Sequence, residues 1–300
     1  MEESAVRASA LEVEELRRLE EMVVEALRAK DDSALNVLGY GEVSVALGWP
    51  VDAPRFVCKR TPPFARREFD DYRQLVTEYV ARVGESDLAV ADTAIVPLDR
   101  GDEVVAYLVQ PMLPAESLGH NVLRASEPDA DHPFLAALAT ALDVVTPSFS
   151  IDAQVTNFSW DGTSLTLVDV GTPFLWDADG RLRFDMKPFS RMLPAPIRPL
   201  AIRELTKLVT RWNDPRTVGV DIVANLYREG IAEWVDPVVT ALNANAGWAE
   251  PITVDEARAL YEEDVKIWPL LKRLQAVERR WQTTVRRRPY DWFIYSSYNN

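Results

Sequence analysis

The segment Ser150-Ile151-Asp152-Ala153-Gln154-Val155-Thr156-Asn157, followed twelve residues later by Asp169-Val170-Gly171, decides how this chain is read. Between the two lies Phe158 to Val168, an apolar run broken at Asp161-Gly162-Thr163-Ser164, which reads as a β-hairpin with turn chemistry in its loop. A hairpin returns the chain to where it started. Asp169 is therefore expected to lie across from Asp152 and Asn157, so that oxygen donors from one loop and one strand end converge on a point. Aspartate and asparagine also cap loops and form turns on their own. Here their order, the spacing of five and the hairpin together favour chemistry.

Working outward, Lys59 closes the apolar strand candidate Phe56-Val57-Cys58-Lys59. An ammonium in such a strand is costly unless it meets a carboxylate or a phosphate. A helix is expected from Phe64 to Val83, with Phe69, Tyr72, Leu75, Val76, Tyr79 and Val80 on its apolar side. Glu78, amid that stretch, is the expected partner for Lys59, and Glu68 at the helix start is the alternative. Upstream, Gly39-Tyr40-Gly41-Glu42-Val43-Ser44 places two glycines two apart in a hairpin spanning Asn36 to Leu47, where backbone N–H groups could approach a phosphate closely. Downstream, the apolar runs Ala94 to Leu98 and Val104 to Gln110 form another hairpin, and Gln110-Pro111-Met112-Leu113-Pro114 then interrupts regular structure. The boundary between two lobes is placed there. This divides the chain into an N-terminal amphipathic helix (1–30), a sheet-bearing lobe (31–110) and a mainly helical lobe (111–300).

Taken in order, these elements resemble the catalytic core of the protein-kinase-like superfamily, nearest in style to its aminoglycoside and choline phosphotransferase branch. The likeness covers about residues 36 to 175. It implies an α+β, bilobal fold in which an N-terminal antiparallel five-stranded sheet with one helix sits above a larger, mainly helical lobe. It also implies ATP and Mg²⁺. By resemblance, Asp152 orients or deprotonates the acceptor hydroxyl, Asn157 and Asp169 hold magnesium, and Lys59 contacts the α- and β-phosphates. Glu78 positions Lys59, the loop carrying Gly39, Gly41 and Ser44 covers the phosphates, and Gln110 to Leu113, with Gln110 and Met112, receives adenine. The activity implied is transfer of the γ-phosphate to a hydroxyl of a small molecule or peptide. The alternative is a pseudokinase acting as a nucleotide-binding regulatory or scaffold protein. Two positions depart from the family pattern: Ser150 stands where histidine is usual, and Val170 replaces the phenylalanine of Asp-Phe-Gly. The stretch from Thr172 to Pro199 has no Ala-Pro-Glu, and Ile151 stands where an arginine often precedes the aspartate. The first favours a small-molecule branch, and the second gives no sign of control by activation-loop phosphorylation.

The bulk numbers set limits on partners. With 47 acidic against 33 basic residues the formal charge is −14, which disfavours nucleic-acid and membrane-surface binding. The acidic start Met1-Glu2-Glu3-Ser4 and the lack of a long apolar run give the expectation of a soluble, cytoplasmic protein. The single cysteine, Cys58, reads as a buried inert thiol, and His120 and His132 are too few for zinc. Further helices are expected at Ala8 to Lys30, with a solvated Glu/Arg face, and at Pro133 to Val145, Pro199 to Trp212, Val220 to Glu229 and Ile231 to Asn243. A last one starts at Thr253 with a capping box to Glu256 and runs towards Arg288, bent at Pro269. Phe174 to Trp176 is expected to pair with Leu182 to Phe184 about the turn Asp177-Ala178-Asp179-Gly180. The arginines from Arg279 to Arg288 are expected to pair with carboxylates, and Tyr290, Trp292, Phe293, Tyr295 and Tyr298 to pack on the helical lobe.

Overall fold

The computed structural model describes residues 7–41, 44–245 and 247–294. Glu42 and Val43 of the glycine loop, Met1 to Ser4, Tyr295 and Tyr298 lie outside the described residues. The chain is α+β, with an antiparallel sheet in its N-terminal part and helices dominating the rest.

A short 3-10 turn leads into α1 (Val13–Ala29), whose Leu16, Leu19, Val23 and Ala26 are buried at helical spacing. Then come β1 (Val37–Tyr40), β2 (Val45–Trp49), β3 (Phe56–Arg60) and the two-residue β4 (Phe64–Ala65), followed by α2 (Arg66–Gly84). A two-residue β5 (Ala89–Val90), β6 (Ala94–Arg100) and β7 (Glu103–Pro111) complete the first part. The main sheet runs β1-β2-β3-β7, with β6 on the far edge of β7. β4 makes it six-stranded by count, against the five expected. It pairs with the start of β7 (Phe64 opposite Val104) on the same edge that β3 occupies further along, so the sheet stays five strands wide.

β7 explains how the sheet is held. Val105, Tyr107 and Val109 face the cluster built with α1, whereas Val104, Ala106 and Leu108 join the cluster built with α2. The period-2 alternation of a strand thus gives a layer covered on both faces, and the run reads as continuously apolar for that reason. β3 follows the same alternation. Phe56, Cys58 and Arg60 are buried, with Phe56 and Cys58 in the α1 cluster, and Lys59, between them, points the other way.

Past Pro111 the chain forms α3 (Gly119–Arg124), α4 (Pro133–Ala141), the hairpin β8 (Phe158–Trp160) and β9 (Leu165–Leu167), and a short α5 (Lys187–Ser190). α6 (Arg198–Thr210), α7 (Pro215–Arg228), α8 (Val235–Asn245) and α9 (Val254–Arg280) follow. β9 pairs antiparallel with β8 and parallel with β5, so a second small sheet joins the region after α2 to the hairpin before Asp169. The expected boundary coincides with the end of β7, but one buried core runs across it, from Tyr72, Tyr79 and Leu108 to Phe134, Phe158 and Trp234.

Several elements differ from expectation. α9 stops at Arg280 and continues as a π-helical turn, Trp281–Val285. Its capping box is half made: Thr253 Oγ1 accepts from the Glu256 N–H (3.2 Å), but the Glu256 carboxylate takes two hydrogen bonds from Arg216 instead. The second hairpin, by contrast, pairs as expected, with Trp176 bridged to Leu182 and the Arg183 N–H donating to the Leu175 carbonyl at 2.8 Å. Glu20, expected on a solvated face of α1, is 7% exposed and holds the buried Arg60 through two bonds of 2.7 and 2.8 Å. Among the described residues no helix is long and apolar enough to cross a membrane.

Candidate functional site

The backbone brings three distant segments to one place. Lys59 projects from β3 on the face opposite Cys58, and its Nζ lies 2.5 Å from Asp169 Oδ2, with both side chains about four-fifths buried. The second oxygen of Asp169 accepts the Gly171 N–H at 2.9 Å, so the Asp-Val-Gly turn closes on its own first residue. A Cβ on Gly171 would sit 3.4 Å from Lys59 Nζ and 3.3 Å from Asp169 Oδ1, so the turn backbone lies directly against the pair. Burial alone would raise the Asp169 pKa, but the Lys59 charge, its hydrogen bond and the Gly171 N–H outweigh that and hold it below the usual carboxylate value.

The Asp152–Asn157 loop is tied to itself. Asn157 Nδ2 donates to the Asp152 carbonyl (3.1 Å), and the Val168 N–H donates to the Asn157 carbonyl (2.8 Å), which fixes the loop against the strand leading to Asp169. α3 presses on the same loop at Gly119, where a Cβ would come within 2.3 Å of the Val155 carbonyl oxygen. Asp152 has a buried Oδ1 without a hydrogen-bond partner. Burial first, and the Asp169 charge second, raise its pKa to about 6 against the partial offset of Lys59 and Gln154. Burial and charge thus push the pKa values of these two carboxylates in opposite directions.

The expected helix carboxylate does not join this cluster. Glu78 forms a two-bond ion pair with Arg183 (2.5 and 2.7 Å), which lowers its pKa, chiefly through those hydrogen bonds. Its neighbours in sequence are core residues, but a helix turns about 100° per residue, and position 78 leaves the face that buries Leu75, Val76 and Tyr79. Glu68, the alternative, accepts from Arg191 at 2.7 Å and from the Ala65 N–H at 2.8 Å. The residues of α2 that do reach the site are tyrosines. Tyr72 donates its hydroxyl to the Gly171 carbonyl at 2.8 Å, and Tyr79 buries a hydroxyl without a partner within the fields of Asp152 and Asp169. Read from sequence, these two were simply members of an apolar stripe. Their seven-residue spacing, which stacks them on one face, was the available signal.

The expected nucleotide-side residues are partly committed elsewhere. Gln110 Nε2 donates to Thr93 Oγ1 (2.9 Å) and to the Val168 carbonyl (2.7 Å), tying β7 to the residue before Asp169. The Met112 N–H donates to the Arg55 carbonyl at 2.8 Å. In the glycine loop, Gly39 pairs with Ala46, and the Gly41 N–H donates to the Ser44 carbonyl (2.9 Å). Ser150 is fully buried, its N–H bonded to the Phe174 carbonyl. A shallow groove of about 560 Å³, lined among others by Thr206, Lys207, Arg211 and Asp214, shares no residue with this cluster.

Among the described residues no cluster of three or more acidic, histidine or cysteine side chains could hold a metal ion, so a divalent cation here would have only Asn157 and Asp169 as expected donors. The Asn157 nitrogen is spent on Asp152, which leaves the amide oxygen as the ligating end. One amide oxygen and one carboxylate fit Mg²⁺, which completes its shell with waters and phosphate oxygens.

Residues 18–279 match a family described as "Family of unknown function (DUF6206)". The chain belongs to that family. The match takes in every site residue above, from Gly39 to Gly171, together with Glu20, Arg183 and Arg191. No curated protein matches the chain.

Proposed function

We propose that this chain is an ATP- and Mg²⁺-dependent phosphotransferase of protein-kinase-like, bilobal architecture, moving the γ-phosphate to a hydroxyl of a small molecule or peptide. The observation that carries the reading is the contact of Lys59, on the third strand, with Asp169, 110 positions later, beside the Asp152–Asn157 loop. Phosphoryl transfer needs positioning and charge neutralisation more than covalent help from the protein. A lysine cation, hard oxygen ligands and an acceptor-side carboxylate are the required parts.

Asp152 accepts the proton of the acceptor hydroxyl. The acceptor oxygen forms a bond to the γ-phosphorus, the bond from that phosphorus to the bridging oxygen breaks, and ADP leaves with the electron pair. Raised to about 6, Asp152 is ionised at neutral pH yet more basic than an ordinary aspartate. Lys59, paired with Asp169 in this structure, exchanges that partner for phosphate oxygens when nucleotide enters. Asn157 and Asp169 would hold magnesium, which would neutralise phosphate charge.

The test is ATP turnover across a panel of hydroxyl acceptors. Asp152→Asn should lose about 10²–10⁴ in transfer rate while keeping ATP affinity within about threefold. Full transfer by that variant on an identified acceptor would overturn the assignment. The two departures from the family pattern, Ser150 and Val170, motivate the second reading, a nucleotide-binding scaffold that does not transfer phosphate. It predicts magnesium-dependent ATP binding with no turnover on any acceptor.

A further inference from the structure

The two α2 carboxylates named as candidate partners for Lys59 are both engaged elsewhere. Glu78 is held by Arg183 and Glu68 by Arg191, both arginines coming from the segment downstream of Asp169. What α2 gives the Asp-Val-Gly turn directly is the Tyr72 hydroxyl, donated to the Gly171 carbonyl at 2.8 Å in a buried setting. The Tyr72 ring is fixed on both sides. It stacks on Phe64 with centroids 4.9 Å apart and meets Phe184 and Phe189, each at 6.2 Å. A phenol on a ring so packed has little freedom, and the carbonyl it binds belongs to the residue whose N–H fixes Asp169 Oδ1. Gly171 is therefore gripped at both of its backbone polar groups, by Tyr72 on one side and Asp169 on the other.

We infer that Tyr72 is a positioning residue: its hydroxyl anchors the Asp169–Gly171 turn to α2, and so sets how well the turn presents Asp169 to magnesium-bound nucleotide. The inference rests on the phosphotransfer reading. A neutral phenol differs from a carboxylate in a useful way. It holds the backbone of the turn without competing with Asp169 for Lys59 or adding a third negative charge beside Asp152 and Asp169.

The experiment is equilibrium dialysis of ATP against the full chain, with and without Mg²⁺, for wild type, Tyr72→Phe and Glu78→Gln. Phenylalanine keeps the stack on Phe64 and removes only the hydroxyl. Metal-free ATP affinity should be alike in all three. The tightening that Mg²⁺ brings to wild type should shrink about five- to tenfold in Tyr72→Phe, as expected for one buried hydrogen bond, and persist in Glu78→Gln. Full tightening in Tyr72→Phe, or its loss in Glu78→Gln, would overturn the inference while leaving the phosphotransfer reading intact. Equal loss of metal-free and metal-bound affinity in Tyr72→Phe would mark a merely structural role and also overturn it. A wild type that binds no ATP in either condition would overturn both.

Discussion

Burial and the neighbouring Asp169 charge raise Asp152 to about 6, and that shift has a consequence for stability as well as for proton transfer. A carboxyl whose folded pKa lies above its unfolded value of about 3.8 is favoured in its protonated form by the fold. Its charge therefore costs nothing below pH 4, costs progressively more between pH 4 and 6, and costs its full amount above pH 6. Asp152→Asn should melt higher than wild type at pH 8, by up to roughly 3 kcal/mol for a shift of about two pKa units, and match it near pH 3.5. A melting comparison at the two pH values decides this; a variant less stable than wild type at pH 8 would contradict it. Lys59, Asp152, Asn157 and Asp169 were legible because each sits in a short local pattern whose chemistry is unusual for its surroundings. Glu78 was misassigned because its neighbours in sequence are core residues while its own direction is set by helical rotation. Tyr72 and Tyr79 were hidden because an aromatic in an apolar stripe looks like packing until its hydroxyl is placed.

Among elements, α1 and β3 are joined by charge that the sequence did not announce. Arg60 is fully buried between two bonds to Glu20 and one to the Asp291 carbonyl, and Tyr107 donates to Glu20 at 2.7 Å. Burial opposes the Arg60 charge and Glu20 restores it. The Glu/Arg pattern of α1 gave no hint, because a helix bearing many carboxylates does not reveal which one turns inward. Removing one partner strands the other without water, and Glu20→Ala should cost about 3–5 kcal/mol in chemical denaturation. Replacing both residues by apolar ones, as in Glu20→Leu with Arg60→Met, should cost much less than either single change. Additive losses would mean the pair is not a unit. Because Arg60 follows Lys59 on the same strand, this staple also fixes the strand that carries the site's cation.

Across the whole molecule, the chain returns at its far end to where it began. Tyr290 donates to the Met192 carbonyl at 3.0 Å, Asp291 binds Arg60 and Arg100, and Phe293 packs among the sheet residues facing α1. The terminal aromatics were expected to pack on the helical part, and Phe293 lies on the sheet instead, through contacts too distant in sequence for any local pattern to carry. The broad division into a sheet-bearing part and a helical part was readable from hydrophobic periodicity and from the prolines at 111 and 114, whereas the core shared by both parts was not. Lys59 from the sheet-bearing part meets Asp169 from beyond the boundary, and on that contact the functional reading depends. The most direct test is a thermal-shift titration with ATP, with and without Mg²⁺, on wild type and Asp169→Asn. At about 100 times the Kd, bound nucleotide should add roughly 2.7 kcal/mol, several degrees in melting temperature, in a magnesium-dependent way that Asp169→Asn abolishes. A wild type that shifts with neither ATP nor GTP, or an Asp169→Asn protein that shifts as fully as wild type, would contradict the account.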